Sequence, residues 1–326
     1  MRKIVYKFVS ALAVFSLTAC GQQEILSTEQ LNNVSSLSNE NSKQTLTLST
    51  YNIRNLFDGV QNPGKAEEKA KPEKELKALS DAIHDIKADV IALEEVESKA
   101  TLKSFADKYL KDLNYQVVLR EANDPRGIDV AVLSKLPILS IKSHKNVKIN
   151  VSGQEPSTFS RDLLQVRLKA PNNYQFTLFV THLKSQHGGD EADDKRKGEV
   201  MKVREIIRDY TKKNPKDNYL LVGDFNDVYN SEPLEPILNS KKSDLNLTDL
   251  IFKDLGTGKE VYSYHPEKFR SRIDYMLISP TMMNEYIPKS VNIHKFPENT
   301  SFDKWTFYTA SDHLPVTAKF DITSDR

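Results

Sequence analysis

From residue 45 onward the chain alternates short apolar segments with longer amphipathic ones, and this alternation constrains the fold more than any other feature. Residues 46–51 alternate apolar and polar side chains as a half-buried strand does. Residues 72–87 place their apolar side chains at helical spacing behind a proline. Continuous apolar runs at 89–93 and 219–222 are typical of buried strands. Strands with helices between them predict a layered α/β fold.

The same patterns locate the remaining elements. Further strands are predicted at 115–119, 128–133, 138–141, 163–168, 176–180, 273–278 and 315–321. Further helices are predicted at 102–113, 191–210 and 233–238. No second linker interrupts this part of the chain, so we predict one domain at 45–326.

The first 44 residues differ in character from the rest. A basic start precedes an apolar stretch at 8–17 that is too short to span a membrane as a stable helix. Leu-Thr-Ala-Cys follows and resembles a bacterial lipobox, ending at Cys20, the only cysteine of the chain. We predict a signal peptide at 1–19 and an acylated Cys20 that anchors the protein to a membrane surface. The alternative is an ordinary secretory signal with an incidental cysteine.

The segment 20–44 is predicted to be a flexible tether, because its polar composition buries too little apolar surface to offset the entropy of ordering. An extracytoplasmic, lipid-anchored protein follows from these features. Gly21 stands where an acidic residue is sometimes linked to retention in the inner membrane, so the outer membrane is favoured if the host has one.

Composition excludes several classes of site. The formal net charge of +1 argues against a polyanion-binding surface over the whole molecule, although a local basic patch remains compatible with it. A single cysteine rules out an internal disulfide framework. Because that cysteine belongs to the lipobox, a cysteine–zinc site is also excluded.

Acidic residues and histidines recur at the ends of the predicted strands, where active sites are assembled. The five places are 51–55, 93–96, 181–185, 223–227 and 311–315. Each alone is typical of a turn or a helix cap. Together they supply oxygen ligands for a hard cation such as Mg²⁺, together with groups that activate water and stabilise charge on phosphoryl oxygens. The set predicts metal-dependent hydrolysis of a phosphoester.

Two of these places carry a specific resemblance. Gly-Asp-Phe-Asn at 223–226 and Ser-Asp-His-Leu-Pro at 311–315, behind Asn52 and Glu95, resemble the endonuclease/exonuclease/phosphatase superfamily over residues 46–320. The resemblance implies a four-layered α/β sandwich, with two mixed β-sheets packed face to face and flanked by helices. It also implies a phosphodiesterase that uses Mg²⁺ or Mn²⁺, with Ca²⁺ compatible.

The resemblance assigns the metal to Asn52, Glu95 and Asp312, with Glu95 as the principal carboxylate ligand. Glu94 stands where a glutamine is more usual in this motif. That departure is expected to add negative charge beside the metal.

The resemblance also assigns the chemistry. Asp224 would orient or deprotonate the attacking water, and Asn226 would donate to the phosphoryl group in the transition state. His313 would contact a phosphate oxygen as an imidazolium, with Asp274 holding its orientation and raising its pKa. His182 would be the second histidine on the phosphate.

Further residues have weaker claims. Asp129 is a candidate partner that orients His182, or else a turn residue at the start of a strand. Arg161 and Lys184 are expected to contact phosphate, although an exposed charge is the alternative for Arg161. Arg196 lies in a helix rich in Lys, Arg and Glu, where a solvated charge is expected.

Three substrate classes compete. They are nucleic acids, lipid or small phosphoesters (as in sphingomyelinases and phosphatases), and none at all in a non-catalytic relative. Every assigned catalytic position carries a competent residue, which disfavours the third. Residues 270–275 match the nuclease pattern better than that of inositol phosphatases. The aromatic residues Phe296, Phe302, Trp305, Phe307 and Tyr308 could stack on bases, meet lipid or pack in the core. We predict a monomeric nuclease that cleaves DNA or RNA.

Overall fold

The computed structural model describes residues 44–238, 243–295 and 309–323. The predicted signal peptide, Cys20 and nearly all of the tether lie outside the described residues, and so do the five aromatic residues at 296–308. Across the described ranges, no helix is both long and apolar enough to cross a membrane.

The strands and helices follow one another in chain order as the sequence pattern predicts, with three short additions. The strands are β1 (Thr45–Leu56), β2 (Val90–Val96), β3 (Gln116–Leu119), β4 (Asp129–Ser134), β5 (Ile138–Ser143), β6 (Leu163–Lys169), β7 (Gln175–His182), β8 (Asn218–Asp224), β9 (Thr248–Asp249), β10 (Asp274–Ile278), β11 (Asn292–Ile293) and β12 (Val316–Asp321). The helices are α1 (Glu73–Ile86), α2 (Lys99–Tyr109), α3 (Asp190–Lys213), α4 (Glu235–Leu238) and α5 (Leu250–Leu255). β9, β11 and α5 were not predicted.

These strands form two sheets, each with six strands among the described residues. The first has the order β11-β12-β1-β2-β4-β3, and the second has the order β5-β6-β7-β8-β10-β9. β1 runs parallel to β2, and β7 runs parallel to β8. The other pairings are antiparallel. Both sheets are therefore mixed.

The two faces of each sheet pack against different layers, because successive side chains along a strand point to opposite faces. Val180 and Val222 of the second sheet share one buried cluster with Val90 and Val132 of the first. That cluster fills the space between the sheets. It also includes apolar side chains of the two N-terminal helices: Leu79, Ile83, Leu102 and Phe105.

The opposite face of the second sheet is covered by α3. Phe179 and Leu221, each one residue before its inward-facing neighbour, pack with Val200 and Val203 of the helix. Burying such a side chain stabilises the fold by about 1.5–3 kcal/mol. Helix, sheet, sheet and helix make the four layers of the predicted α/β sandwich, and the prediction is confirmed.

The element ends differ from the predictions in ways that matter for the site. β1 continues through Asn52 to Leu56, although alternation in the sequence ends at Tyr51. α2 begins earlier than predicted, where the Ser98 hydroxyl accepts a hydrogen bond from the Thr101 amide as an N-cap. It ends at Tyr109, and a single 3₁₀ turn follows.

Candidate active site

The predicted site segments meet at one edge of the sandwich. In the second sheet, the paired strands β7 and β8 set His182 beside Asp224, and β10 sets Asp274 beside Asp224 from the other side. In the first sheet, the parallel strands β1 and β2 set Asn52 beside Glu94. Because parallel strands end at the same edge of a sheet, the side chains at these strand ends lie close together.

The Asp224 carboxylate lies at the centre of this edge. Its Oδ2 atom is 3.1 Å from Asn52 Nδ2, 3.5 Å from His182 Nε2 and 3.7 Å from His313 Nε2. Burial raises the pKa of Asp224 to about 7; the nearby Asp274 adds to the rise, and His313 and the hydrogen bonds from Asn226 and Asn52 oppose it. A carboxylate with this pKa is suited to hold or accept a proton from water near neutral pH.

Gly223 explains how Asp224 reaches this position. Its φ is +133°, and a Cβ atom there would lie 1.9 Å from the carbonyl oxygen of Thr181. Only glycine allows the two parallel strands to approach so closely at this point.

His313 is held by Asp274 in a buried ion pair. Its Nδ1 atom lies 2.8 Å from Asp274 Oδ2. Burial alone would lower the pKa of His313, but the carboxylates of Asp274 and Asp224 raise it well above its ordinary value. Asp274 is in turn fixed by the Ser263 hydroxyl, which accepts a hydrogen bond from the Asp274 amide. The histidine is therefore an imidazolium whose Nε2 faces the centre of the site.

His182 has the opposite electrostatic environment. Burial, the Arg161 guanidinium and the positive charge of His313 hold the pKa of His182 well below its ordinary value. Its Nδ1 atom is buried and has no hydrogen-bond partner among the described residues. The Asp129 carboxylate instead accepts a hydrogen bond from the Ala122 amide at 2.8 Å. Asp129 is thus not the orienting partner of His182; it is the first residue of β4 and binds the loop that precedes this strand.

The oxygen ligands predicted for a metal lie on the side of the first sheet. Glu95 Oε1 is 3.3 Å from Asn52 Nδ2, and Glu95 Oε2 accepts a hydrogen bond from the Asn55 amide at 3.0 Å. The Ser311 hydroxyl donates to the carbonyl oxygen of Asn52 at 2.6 Å, which brings the neighbouring Asp312 to the same place. Two carboxylates and an amide oxygen fit a hard divalent cation.

Three non-glycine residues on this side have a left-handed backbone conformation. Glu95 has a φ of +65°, and Arg54 and Asn55 have φ values of +48° and +55°. The pairing of β2 with β1 and with β4 shifts register around the same residues. Bulges and left-handed non-glycine residues are costly, and they occur mostly where a side chain must be redirected for function.

A second set of ligand atoms also lies close together. Within the described part of the chain, Asp224, Asp274 and His313 offer atoms within 4.8 Å of one another. In this set, however, His313 Nδ1 already faces Asp274, and Asp224 accepts hydrogen bonds from Asn52 and from the Asn226 amide at 2.7 Å. Asn52, Glu95 and Asp312 fit an oxygen-preferring cation better, because they can offer oxygen atoms alone, whereas the second set includes an imidazole nitrogen.

Glu94 corrects one expectation. Its side chain is fully buried, and Oε1 accepts a hydrogen bond from the Thr50 hydroxyl at 3.1 Å. Burial, with the nearby Asp274 and Asp224 carboxylates, raises the pKa of Glu94 well above its ordinary value. This environment favours the neutral carboxyl, which opposes the negative charge expected beside the metal ligands.

The residues expected on the phosphate are arranged around one backbone carbonyl. Asn226 Nδ2 and Arg161 Nη1 donate to Leu183 O at 3.0 and 3.2 Å. Arg161 is buried against Asp124 at 2.9 Å, so it is not the exposed charge of the alternative interpretation. Lys184 is partly exposed, and its Nζ donates to the carbonyl of His187 at 2.9 Å.

Arg196 is also not a solvated charge. It is 1% exposed, and its guanidinium binds Asp227, Asp193 and the carbonyl of Lys184. Another residue near the site, Lys71, was not predicted. Lys71 is buried, with Nζ donating to the carbonyls of Ile53 and Arg54. The burial of a single Lys or Arg of this kind has no signal in the sequence, because only the tertiary fold supplies its partners.

Comparison with known proteins agrees with this geometry. The model of the Endonuclease/Exonuclease/phosphatase family matches residues 47–304, a span that includes every assigned active-site residue except Asp312 and His313. No curated protein has a sequence significantly similar to this one.

Solved structures share the fold at low identity. The catalytic domain of human nocturnin with bound sulfate is 17% identical, with a TM-score of 0.58 over 85% of this chain and 94% of that one. Truncated TDP2 from Caenorhabditis elegans is 17% identical, with a TM-score of 0.55 over 85% and 98%. A mannosyl-6-phosphatase from Bacteroides thetaiotaomicron is 18% identical, with a TM-score of 0.55 over 84% and 99%.

Nucleases and phosphatases of the kind that the family description names are phosphoric ester hydrolases, and the family's enzymes depend on divalent metals. The matched span covers most of the chain and contains both the oxygen ligands of the first sheet and Asp224. The chain therefore belongs to the endonuclease/exonuclease/phosphatase family.

Proposed function

We propose that this protein is a divalent-metal-dependent phosphodiesterase that hydrolyses nucleic-acid phosphodiesters outside the cytoplasm. The observation that carries the proposal is the convergence of Asn52, His182 and His313 on one oxygen of Asp224. A carboxylate, an imidazolium and a neutral imidazole within this space can activate water and stabilise charge on a phosphoryl group together.

The roles of the side chains follow from their charge states. Asp224, with a pKa near 7, orients the attacking water and accepts its proton. His313 donates from Nε2 to a phosphoryl oxygen, and neutral His182 contributes a second hydrogen bond there. When held by Asn52, Glu95 and Asp312, a divalent cation such as Mg²⁺ or Mn²⁺ supplies charge neutralisation at the phosphoryl oxygens.

A loop beside the site supports a nucleic-acid substrate. His265 donates its backbone amide to the carbonyl of Asp312 at 3.0 Å, which ties residues 265–270 to the metal side. At the end of this loop Phe269 is 62% exposed, between Lys268 and Arg270. Lys268 Nζ lies 5.4 Å from the centre of this ring, and the Arg270 guanidinium lies over the ring of Tyr262. An exposed aromatic ring with cations nearby suits a stacked base and its phosphates. A local patch of this kind is compatible with the net charge of +1.

The test is an assay of the protein with Mg²⁺ or Mn²⁺ against plasmid DNA, RNA, sphingomyelin and bis-p-nitrophenyl phosphate, with Asp224→Ala as the inactive control. We expect cleavage of nucleic acid and of the small diester. Cleavage of sphingomyelin alone would reject the nucleic-acid substrate in favour of a lipid phosphoesterase. Equal activity in Asp224→Ala would reject the catalytic arrangement.

We further propose that the protein acts as a monomer anchored to a bacterial membrane, with the outer membrane favoured, through an acylated Cys20. The support is the lipobox-like sequence that ends at this residue. A Cys20→Ser variant expressed in bacteria should move from the membrane fraction to the soluble extracytoplasmic fraction. An unchanged membrane fraction would contradict acylation at this position.

A further inference from the structure

The two residues that follow β7 form a peptide segment whose backbone polar groups are all bound by the protein. The Leu183 amide donates to the carbonyl of Asp224 at 3.0 Å. The Leu183 carbonyl accepts from Asn226 Nδ2 at 3.0 Å and from Arg161 Nη1 at 3.2 Å. One carbonyl thus fixes two of the donors expected on the phosphoryl group.

The second half of the segment, at Lys184, is held by two buried side chains of α3. Glu199 Oε2 accepts from the Lys184 amide at 2.7 Å, and Arg196 Nη1 donates to the Lys184 carbonyl at 3.1 Å. Glu199 Oε1 also accepts from the Ser160 amide at 2.7 Å, and Arg196 Nε donates to Asp227 Oδ2 at 2.8 Å. Both α3 side chains are 1% exposed.

Glu199 and Arg196 also bind two residues that are next in sequence to the donors expected on the phosphoryl group. Ser160 precedes Arg161, and Asp227 follows Asn226. The pair therefore fixes three loops: the one before β6, the one after β7 and the one after β8. A buried carboxylate and a buried guanidinium are costly unless every polar atom is matched, so both side chains are confined to this geometry.

We propose that Arg196 and Glu199 are positioning residues of the phosphoryl-binding side, which act by holding the Leu183–Lys184 segment so that its carbonyl aligns Asn226 and Arg161. The inference rests on the proposed phosphodiesterase function. A donor displaced by about 1 Å can lower a rate by about a hundredfold, so loss of either anchor should lower turnover and also weaken the binding of phosphate.

Glu199→Gln is the sharpest test, because both oxygens of Glu199 accept backbone N–H groups and a glutamine amide can match only one of them. With Mg²⁺ and bis-p-nitrophenyl phosphate, we expect kcat to fall by about tenfold to a hundredfold and KM to rise by no more than about tenfold. The half-saturating Mg²⁺ concentration should stay the same, because Asn52 and Glu95 belong to the other sheet.

Arg196→Lys is the second variant and keeps the charge while losing the fork that binds Asp227 and the Lys184 carbonyl together. The same loss of kcat is expected. The matched control is Tyr210→Phe at the far end of α3, which removes hydrogen bonds to Asp217 at 2.6 Å and to Thr177 at 2.7 Å. Its kcat should stay within about twofold of the wild-type value.

A double variant separates positioning from a general loss of stability. If Glu199 acts through Asn226, then Glu199→Gln should lower kcat by less than about twofold once Asn226→Ala is present. Fully multiplicative effects would overturn the proposal. Wild-type kcat in both Glu199→Gln and Arg196→Lys would overturn it as well.

Calorimetry of inorganic phosphate binding tests the positioning role separately from the proposed function, because it does not depend on cleavage of an ester. Absence of cleavage of every ester by the wild-type protein would reject the proposed function alone. Phosphate binding about tenfold weaker in Glu199→Gln than in the wild-type protein would still support the positioning role. Equal phosphate binding in the two proteins, or none in either, would overturn it.

Discussion

His182 and His313 face the same carboxylate oxygen from environments that move their pKa values in opposite directions. Burial and the charges of Arg161 and His313 hold the pKa of His182 low, whereas Asp274 and Asp224 outweigh burial at His313 and raise its pKa. One residue type therefore supplies a neutral and a charged donor a few ångströms apart. Environment divides the roles, as in other sites where paired titratable groups differ only in their surroundings.

The charge on His313 depends on Asp274, which gives a first prediction. Asp274→Asn keeps the size of the side chain but removes the carboxylate 2.8 Å from Nδ1. We expect kcat with bis-p-nitrophenyl phosphate to fall by about a hundredfold or more, as when a general acid or an electrophilic donor is lost. The control is Asp129→Asn, a buried aspartate whose carboxylate bonds only the Ala122 backbone among its described hydrogen bonds. An equal loss in both variants would contradict the role of Asp274.

At this scale the sequence predicts residue types better than it predicts residue environments. Asn52, Glu95, Asp224 and the two histidines could be chosen because carboxylates, amides and imidazoles recur at strand ends. The raised pKa of Glu94 could not be predicted, because it depends on burial and on carboxylates that come from strands far apart in sequence. The prediction of a solvated charge at Arg196 was wrong for the same reason, because helical periodicity does not show a partner such as Asp227.

Among the elements, β8 shows how a residue without a side chain, Gly223, positions the side chain of the next residue. Gly223 lets β7 and β8 approach until a Cβ atom would lie 1.9 Å from a carbonyl oxygen. The same residue carries a φ of +133°, which L residues rarely adopt. Steric space and backbone conformation thus both require glycine immediately before Asp224.

Replacement of this glycine gives the second prediction. Gly223→Ala should lower the free energy of unfolding by more than about 3 kcal/mol, because both strands must separate to accept the methyl group. Gly64→Ala is the matched control, since Gly64 also has a positive φ, +76°, but has nothing within 4 Å of an added Cβ. Its cost should be about 1 kcal/mol. Urea denaturation of both variants checks the difference, and equal costs would show that close approach is not the cause.

His294, directly after β11, gives the third prediction. Burial lowers the pKa of His294 to about 4, although Asp85 partly opposes the shift. Between pH 6.5 and pH 4 the unfolded chain binds a proton that the folded protein does not, so stability is lost as the pH falls through this range. From pH 7 to pH 5, His294→Gln should therefore lose less stability than the wild-type protein, by about 2 kcal/mol.

The control for His294 is a histidine shifted the other way. The Ser80 carbonyl and Asp112 raise the pKa of His84 against the effect of burial, so this residue stabilises the protein in acid. His84→Gln should make the loss of stability on acidification steeper, whereas His294→Gln should make it shallower. Denaturant unfolding at pH 7 and pH 5 distinguishes them, and parallel behaviour of the two variants would contradict the assignment.

How far the elements could be predicted depended on their length. Long periodic segments such as α1 and α3 were located within a few residues, because each buries a continuous apolar stripe. β9 and β11, with two residues each, are too short to show a period and exist only through their neighbours. β1 runs past Tyr51 because it stays paired with β2 there, and the local sequence gives no sign of this.

For the whole molecule, the two sheets contribute different halves of the site. Asn52 and Glu95 belong to strands of the first sheet, whereas His182, Asp224 and Asp274 belong to strands of the second. Alternation in the sequence predicted two kinds of layer but not which strands face each other. The site exists only where the two edges meet, so its geometry follows from sheet packing and not from any local motif.

This division makes the metal a test of the whole arrangement. A cation that binds only the folded protein should raise its stability, by about 1.4 kcal/mol at ten times the dissociation constant. For a domain of this size that corresponds to a rise in Tm of about 2–6 °C. Thermal unfolding with and without Mg²⁺ measures the shift. Glu95→Gln should abolish it, whereas Asp274→Asn should leave it in place, because Glu95 supplies a carboxylate beside Asn52 on the metal side and Asp274 is paired with His313. The reverse result would place the cation within the group formed by Asp224, Asp274 and His313. Loss of the shift in both variants would mean that the cation bridges the two sheets through both sets of ligands.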